Sequence, residues 1–312
     1  MNTKYSGVWT ALATPFDAQG SIDWSAFDRL LEFQHRAGIT GLVPCGTTGE
    51  SPTLSAEERI KLIERTLRFG REKKLRVMPG TGTNNTAETI KNTGTAVELG
   101  ATCALVVTPY YNKPQQRGLI EHFRAVADNV PCDIILYNVP GRTIVSVQPE
   151  TVAELAKHPR IVGIKDATGD LNYATEVRNR VQSVRKDFVY LSGDDLTWCA
   201  YQMQGGSGTI SVASNATPQA LLAMEKLVAT GNMEKATQLH DKVFPLWNAM
   251  FCEPNPVPIK YMLSLGMDFP ARLRRPLVEL SAENRQKIDR IAAEVKLLEY
   301  FKSDSKLTEA LC

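Results

Sequence analysis

Eight short apolar runs, each leaving through a polar turn into a helical pattern, fill about the first 230 residues of this 312-residue chain. Beyond about residue 232 the pattern is helical only, broken by Glu253-Pro254-Asn255-Pro256-Val257-Pro258. A doubly wound open sheet would carry a Gly-x-Gly-x-x-Gly turn after its first strand, and none stands there. These observations predict an α/β protein. Its fold is a closed (β/α)8 TIM barrel over residues 1–231, with a C-terminal helical segment, 232–312, packed on the barrel. No Gly/Ser linker divides them, so the extension is expected to be an appendage of one unit.

The elements follow in order. Residues 8–16 alternate like a strand and stop at Thr14-Pro15. Asp23 opens a helical pattern that closes at Ala37-Gly38, a C-cap signal. Ile39 to Cys45 is a second strand, leaving through Gly46-Thr47-Thr48-Gly49-Glu50. Ser55-Ala56-Glu57-Glu58 is a capping box before a helix to about Gly70. The same unit repeats with strands at 76–80, 103–108, 133–138, 161–165, 188–192 and 208–212. The matching helices fall at about 86–99, 115–128, 149–157, 171–182 and 196–203, and the last starts after Thr217-Pro218.

Composition narrows the function. Thirty-six basic against 34 acidic side chains leave a net charge of +2, with no basic field for nucleic acid. The opening residues lack the apolar core of a signal peptide, and no apolar run approaches the roughly 18 residues that span a bilayer. Six scattered cysteines without a Cys-x-x-Cys pair read as reduced thiols of a cytoplasmic protein. The four histidines have neither the spacing nor the company of metal ligands, so no metal is assigned.

In a barrel, catalytic residues come from the ends of several strands. Lys165 stands at the end of the strand Ile161-Val162-Gly163-Ile164, ahead of Asp166-Ala167-Thr168-Gly169. A strand-end lysine is by default solvated. Here it shares its rim with Thr47, Thr48, Tyr110, Tyr111, Tyr137 and Arg142, and that company shifts the reading toward a Schiff-base nucleophile. Apolar surroundings favour the neutral amine, which adds to a ketone to give an iminium that serves as an electron sink. Such steps need a proton shuttle, and tyrosine and threonine hydroxyls both donate and accept. The amides and hydroxyls of Thr47-Thr48-Gly49 suit a keto acid's carboxylate, and Arg142 is a forked donor for a second one.

The segments Gly46-Thr47-Thr48-Gly49-Glu50-Ser51, Thr108-Pro109-Tyr110-Tyr111-Asn112-Lys113-Pro114, Tyr137-Asn138-Val139-Pro140-Gly141-Arg142-Thr143, Gly163-Ile164-Lys165-Asp166-Ala167-Thr168-Gly169 and Leu191-Ser192-Gly193-Asp194-Asp195 stand in the order and spacing of a known family. From about residue 5 to 290 the chain resembles the dihydrodipicolinate synthase family of pyruvate-dependent class I aldolases, a group that also includes N-acetylneuraminate lyase. The resemblance implies a lyase that condenses pyruvate with L-aspartate-4-semialdehyde on the route to diaminopimelate and lysine. It needs no cofactor beyond a covalent Lys165–pyruvate imine. Tyr137 would relay protons, and Thr47 would connect it to Tyr111, which reaches across a dimer interface. Thr48 would hold the pyruvate carboxylate, with Ile210 and Gly193 also at the substrate. Arg142 would hold the carboxylate of the semialdehyde. The implied assembly is a homotetramer built from two tight dimers.

Two departures from the family pattern follow. Gly141 and Asp166 replace a serine and a glutamate found in some members. The cleft that binds lysine in feedback-inhibited members is matched by Ser51, Asn84, Glu88 and Tyr110. Ala56 and Arg59, however, replace histidines of some inhibited enzymes, and an arginine opposes a cationic ligand. Lysine inhibition is therefore expected to be weak or absent. The tail after about residue 292 exceeds the family's usual length and has no assigned role. The rival reading is another aldolase of the same fold, acting on N-acetylneuraminate or a keto-deoxy sugar acid; Arg142 argues against it, because sugars call for hydroxyl partners.

Overall fold

The computed structural model describes residues 4–302, 308–309 and 311–312. The first half-barrel is β1 (Gly7–Ala11), α1 (Trp24–Ala37), β2 (Gly41–Val43), α2 (Ala56–Lys73), β3 (Arg76–Val77), α3 (Thr86–Glu98), β4 (Cys103–Val107) and α4 (Gln116–Asn129). The second is β5 (Asp133–Asn138), a single turn α5 (Pro140–Thr143), α6 (Pro149–Ala156), β6 (Ile161–Asp166), α7 (Leu171–Gln182), β7 (Val189–Ser192), α8 (Trp198–Met203), β8 (Gly208–Ser211) and α9 (Pro218–Ala229). The strands are parallel, in the order β3-β2-β1-β8-β7-β6-β5-β4. A parallel bridge between Gly80 and Leu105 joins the two ends, with Thr81 N–H donating to Leu105 O at 3.1 Å and Leu105 N–H to Pro79 O at 2.9 Å. The sheet is therefore a closed barrel.

Local chemistry places the helices where the sequence marks them. Asp23 caps α1 by accepting from Ala26 N–H, and Gly38 ends it in the left-handed region at φ 85°. Ser55 and Glu58 exchange both bonds of the capping box. Three elements differ from the sequence reading. β1 stops at Ala11, because the Asp17 carboxylate accepts from Gln19 and Ser21 N–H and turns the chain, so that Phe16 bridges antiparallel to Ile22. β3 keeps only Arg76 and Val77, because Pro79 offers no N–H to a ladder. The exit of β5 carries the unforeseen turn α5, with Pro140 at its start.

Side chains alternate between the barrel interior and the helix layer. On β5, Ile135 and Tyr137 face the interior cluster with Trp9 and Leu191, whereas Ile134 and Leu136 pack under the helices. β6 breaks this alternation. Ile134 pairs with Ile161 but Ile135 pairs with Gly163, so the strand carries one extra residue. Val162 points inward and Ile164 outward, which returns Lys165 to the interior. Gly163 is required at this bulge: a Cβ there would lie 2.7 Å from Val189 O and 2.8 Å from the Ile135 side chain.

Four helices follow the barrel: α10 (Met233–Ala249), α11 (Val257–Ser264), α12 (Ala282–Glu294) and α13 (Leu297–Lys302). The unassigned tail has a packing role. Leu297 is fully buried, Tyr300 and Phe301 nearly so, and the Phe301 ring lies 5.8 Å from that of Phe33 on α1. Among the described residues no helix is long and apolar enough to cross a membrane, and no cluster of three or more His, Cys, Asp or Glu side chains forms a metal cage.

Candidate active site

A cavity of about 440 Å³ opens at the C-terminal ends of the strands. Lys165, Tyr137, Thr47, Thr48, Arg142 and Gly193 all line it, contributed by or just after four different strands. Lys165 is only 5% exposed, and its Nζ lies 4.2 Å from the Tyr137 ring centroid. No carboxylate forms an ion pair with it among the described residues, so the amine is free to act on a carbonyl rather than being tied up in a salt bridge. Gly193 keeps the amine's path clear, since a Cβ there would come within 2.8 Å of Lys165 Cε.

Each neighbour is held by an identifiable contact. Thr108 donates through both N–H and Oγ to Tyr137 O, at 2.9 and 3.0 Å, fixing the end of β5. The buried Asn138 then accepts from Val147 N–H at 3.0 Å and pins the returning loop, with Arg142 on the turn between. Asn255, far along the chain, joins the two residues expected to hold carboxylates. Its Nδ2 donates to Thr48 Oγ at 3.0 Å, and its carbonyl accepts from the Arg142 guanidinium at 3.1 Å. Thr14 Oγ donates to Gly49 O at 2.9 Å, and Glu50 accepts from Lys260 Nζ at 2.7 Å. The loop 46–50 is thus clamped from three sides.

Sequence reasoning missed Asn255, Lys260 and Arg274, the last donating its N–H to Glu50 at 3.0 Å. The available signal was Lys260 itself, one cation in the otherwise uncharged helix Val-Pro-Ile-Lys-Tyr-Met-Leu-Ser.

Not every expected residue reaches this cavity. Tyr111 is 92% exposed, has a left-handed backbone at φ 72° and does not line the cavity of its own chain. The Thr47 and Tyr137 hydroxyls share the cavity wall without a hydrogen bond to each other among the described residues. Ile210 is fully buried in the barrel interior, behind the wall. Of the residues matched to a lysine-binding cleft, Ser51 and Tyr110 line a second cavity beside the first, together with Arg59. Asn84 and Glu88 do not line it.

Two buried aspartates flank the site. Burial pushes Asp166, next to the lysine, up to about 6. Asp195 is likewise raised to about 6 by burial and accepts from Val212 and Ala213 N–H at 3.0 and 2.9 Å, closing the turn after β8. A carboxylate whose folded value lies above its unfolded one is destabilising when ionised, and the penalty fades as pH falls through the folded value. For Asp195 the penalty at pH 7 is about 3 kcal/mol. Asp195→Asn keeps an oxygen for both N–H donors and removes the charge. It should be at least as stable as the parent in urea at pH 7.5, with the advantage shrinking toward pH 5. Equal destabilisation at both pH values would refute this account.

Comparison with known proteins agrees with the geometry. A family model described as the dihydrodipicolinate synthetase family matches residues 4–295. The 4-hydroxy-tetrahydrodipicolinate synthase of Thermodesulfovibrio yellowstonii is 44% identical, covering 94% of this chain and 99% of its own. The crystal structure of dihydrodipicolinate synthase from Thermotoga maritima superposes with a TM-score of 0.91 at 40% identity, over 94% of this chain and 99% of that one. The 4-hydroxy-tetrahydrodipicolinate synthase from Methylacidiphilum fumariolicum SolV has a TM-score of 0.91 at 38% identity and covers 99% of both chains. α13 therefore lies beyond the family model but within the span of that last match.

Proposed function

The chain belongs to the dihydrodipicolinate synthetase family, and from that premise we propose how its own residues carry out the 4-hydroxy-tetrahydrodipicolinate synthase reaction, the condensation of pyruvate with L-aspartate-4-semialdehyde. The observation that carries the proposal is a buried lysine without a carboxylate partner, facing a cavity that a tyrosine, two threonines and an arginine also line. Lys165 Nζ adds to the keto carbon of pyruvate. The carbinolamine oxygen takes a proton and leaves as water, giving the imine. Loss of a methyl proton then gives the enamine, whose carbon attacks the aldehyde; the new alkoxide takes up a proton and the iminium at Lys165 is restored. The semialdehyde's own amino group adds to that iminium carbon and displaces the Lys165 amine, which closes the product's ring and frees the enzyme. We assign the movement of these protons to Tyr137 and the link onward, to Tyr111 of a neighbouring subunit, to Thr47, which shares the cavity wall with Tyr137 and would close a hydrogen bond to it with substrate bound. The 92% exposure of Tyr111 fits a residue supplied to another chain in a dimer of dimers. Thr48 and Arg142 hold the two substrates' carboxylates, spaced by their common tether to Asn255. Gly193 leaves room for the covalent adduct, and Ile210 supports the wall from behind. Residues 1–231 and 232–312 work as one unit, because the second segment supplies Asn255 and Lys260 to the loop after β2. A cytoplasmic location, read from the scattered cysteines without a Cys-x-x-Cys pair, is part of this proposal.

The reaction is tested by offering the purified protein pyruvate with aspartate semialdehyde and, separately, N-acetylneuraminate. Turnover of the first pair is expected; turnover of the second alone would replace this reading with that of a sugar-acid lyase. Arg59 next to Ser51 and Tyr110 opposes a cationic amino acid, so lysine should inhibit weakly or not at all. Half-inhibition in the low micromolar range would overturn that expectation.

A further inference from the structure

L-Aspartate-4-semialdehyde carries an ammonium group beside its carboxylate, and the mechanism above gives a protein partner only to the carboxylate. One side chain in the active-site cavity has the matching charge. Asp194, on the turn after β7, is the only aspartate or glutamate in the wall among the described residues. It stands next to Asp195, but the two carboxylates are used differently. Asp195 is buried and turned onto the Val212 and Ala213 N–H groups. Asp194 is half-buried, and its Oδ1 accepts from the Thr197 N–H and hydroxyl at 2.8 and 3.0 Å, just ahead of α8. Its Oδ2, beside Gly169, accepts no hydrogen bond among the described residues, and no cation there forms an ion pair with it. Bracing the start of α8 accounts for Oδ1 alone, and an uncharged asparagine would serve it equally. A negative charge in the wall of a cavity that admits two carboxylates is otherwise repulsive.

The strand order sets the distance. Arg142 follows β5 and Asp194 follows β7, with Lys165 on β6 between them. Two strand spacings are about 9.6 Å. A carboxylate and an ammonium on one carbon, each at hydrogen-bond distance from its own protein partner, bridge roughly that span. We propose that Asp194 binds the semialdehyde's ammonium group and so selects an α-amino aldehyde over aldehydes that carry a carboxylate alone. The inference rests on the reaction proposed above and extends it to the group that later closes the ring.

Asp194→Asn is the test, because the amide oxygen still accepts from Thr197 while the charge is gone. KM for the semialdehyde should rise by at least about tenfold. The probe without the ammonium is 4-oxobutanoate, whose aldehyde and carboxylate compete for the same places. Its inhibition constant against the semialdehyde, and the borohydride trapping of pyruvate, should stay within about twofold. A rise shared by both aldehydes would mean that Asp194 only shapes the cavity. Altered trapping with an unchanged semialdehyde KM would put its charge on the Lys165 adduct instead. Either result, or no change at all, overturns the proposal. A thermal melt checks that the variant is folded. The parent enzyme supplies an independent arm: its inhibition constant for 4-oxobutanoate should exceed KM for the semialdehyde by at least about tenfold, and equal values would overturn the proposal without any variant. If the parent does not turn over the semialdehyde, the reaction and this inference fall together; turnover with a KM indifferent to Asp194→Asn removes this inference alone.

Discussion

Lys165→Ala should lower kcat/KM by at least about 10⁴-fold, as removal of a covalent nucleophile does elsewhere, and should abolish trapping of pyruvate by borohydride. No second amine is placed to substitute. Lys165 is the only lysine in the cavity wall, and Lys260, the other buried lysine among the described residues, is bound to Glu50 and fully enclosed. The loss should not come from unfolding. Lys165 makes no ion pair among the described residues, so its removal takes away a buried polar group without orphaning a partner, and the thermal midpoint should hold or rise. Peptide mass mapping of the trapped parent should place the adduct on the peptide containing Lys165. An adduct retained in Lys165→Ala would show that another amine is the nucleophile, and near-normal turnover would remove the imine from the mechanism.

How Lys165 comes to face the cavity separates what the sequence can tell from what it cannot. Helix ends depend on groups within four residues of one another, so Asp23, Gly38 and the Ser55–Glu58 pair are legible one residue at a time. The strand count and the barrel follow from the same local patterns. The inward aim of Lys165 does not. Strict alternation from the inward-facing Val162 would send Lys165 to the helix side, and only the bulge at Gly163, visible in the pairing with β5, brings it back. A glycine in a strand hints at a bulge but does not locate the extra residue. The same limit hides the clamp on the loop after β2. Thr48 is readable as a carboxylate anchor from its own segment, whereas the Asn255 that orients it lies 207 residues away. Tyr111 was legible as a rim residue from its own segment, but its 92% exposure, on a left-handed backbone at φ 72°, was not.

The distant end of that clamp yields the largest expected effect on stability. Lys260 and Glu50 form an ion pair of 2.7 Å with side-chain exposures of 0% and 1%. Burial lowers the Lys260 amine to about 8 despite the attraction of Glu50, so at pH 7 it still carries its proton. Its Nζ also lies 4.4 Å from the Phe16 ring centroid. Lys260→Met has the right length for the site but leaves the Glu50 carboxylate without its cation, and breaking such a pair from one side costs about 3–5 kcal/mol. Urea denaturation should show that loss. Glu50→Gln/Lys260→Met should recover much of it, because the amide still offers an oxygen to Arg274 N–H and no charge is stranded. The kinetic consequence separates a positioning role from general weakening. Glu50 ends the loop that carries Thr48, in a left-handed conformation at φ 53° that its two partners hold in place. Lys260→Met should therefore raise KM for pyruvate roughly tenfold, the equivalent of about 1.4 kcal/mol of anchoring, with a smaller change in kcat. The double variant, stable but no longer tied to α11, should keep part of that KM defect. If Lys260→Met loses under about 1 kcal/mol, the pair does not hold the loop; if it loses stability while KM stays unchanged, the loop does not depend on the pair for its catalytic shape.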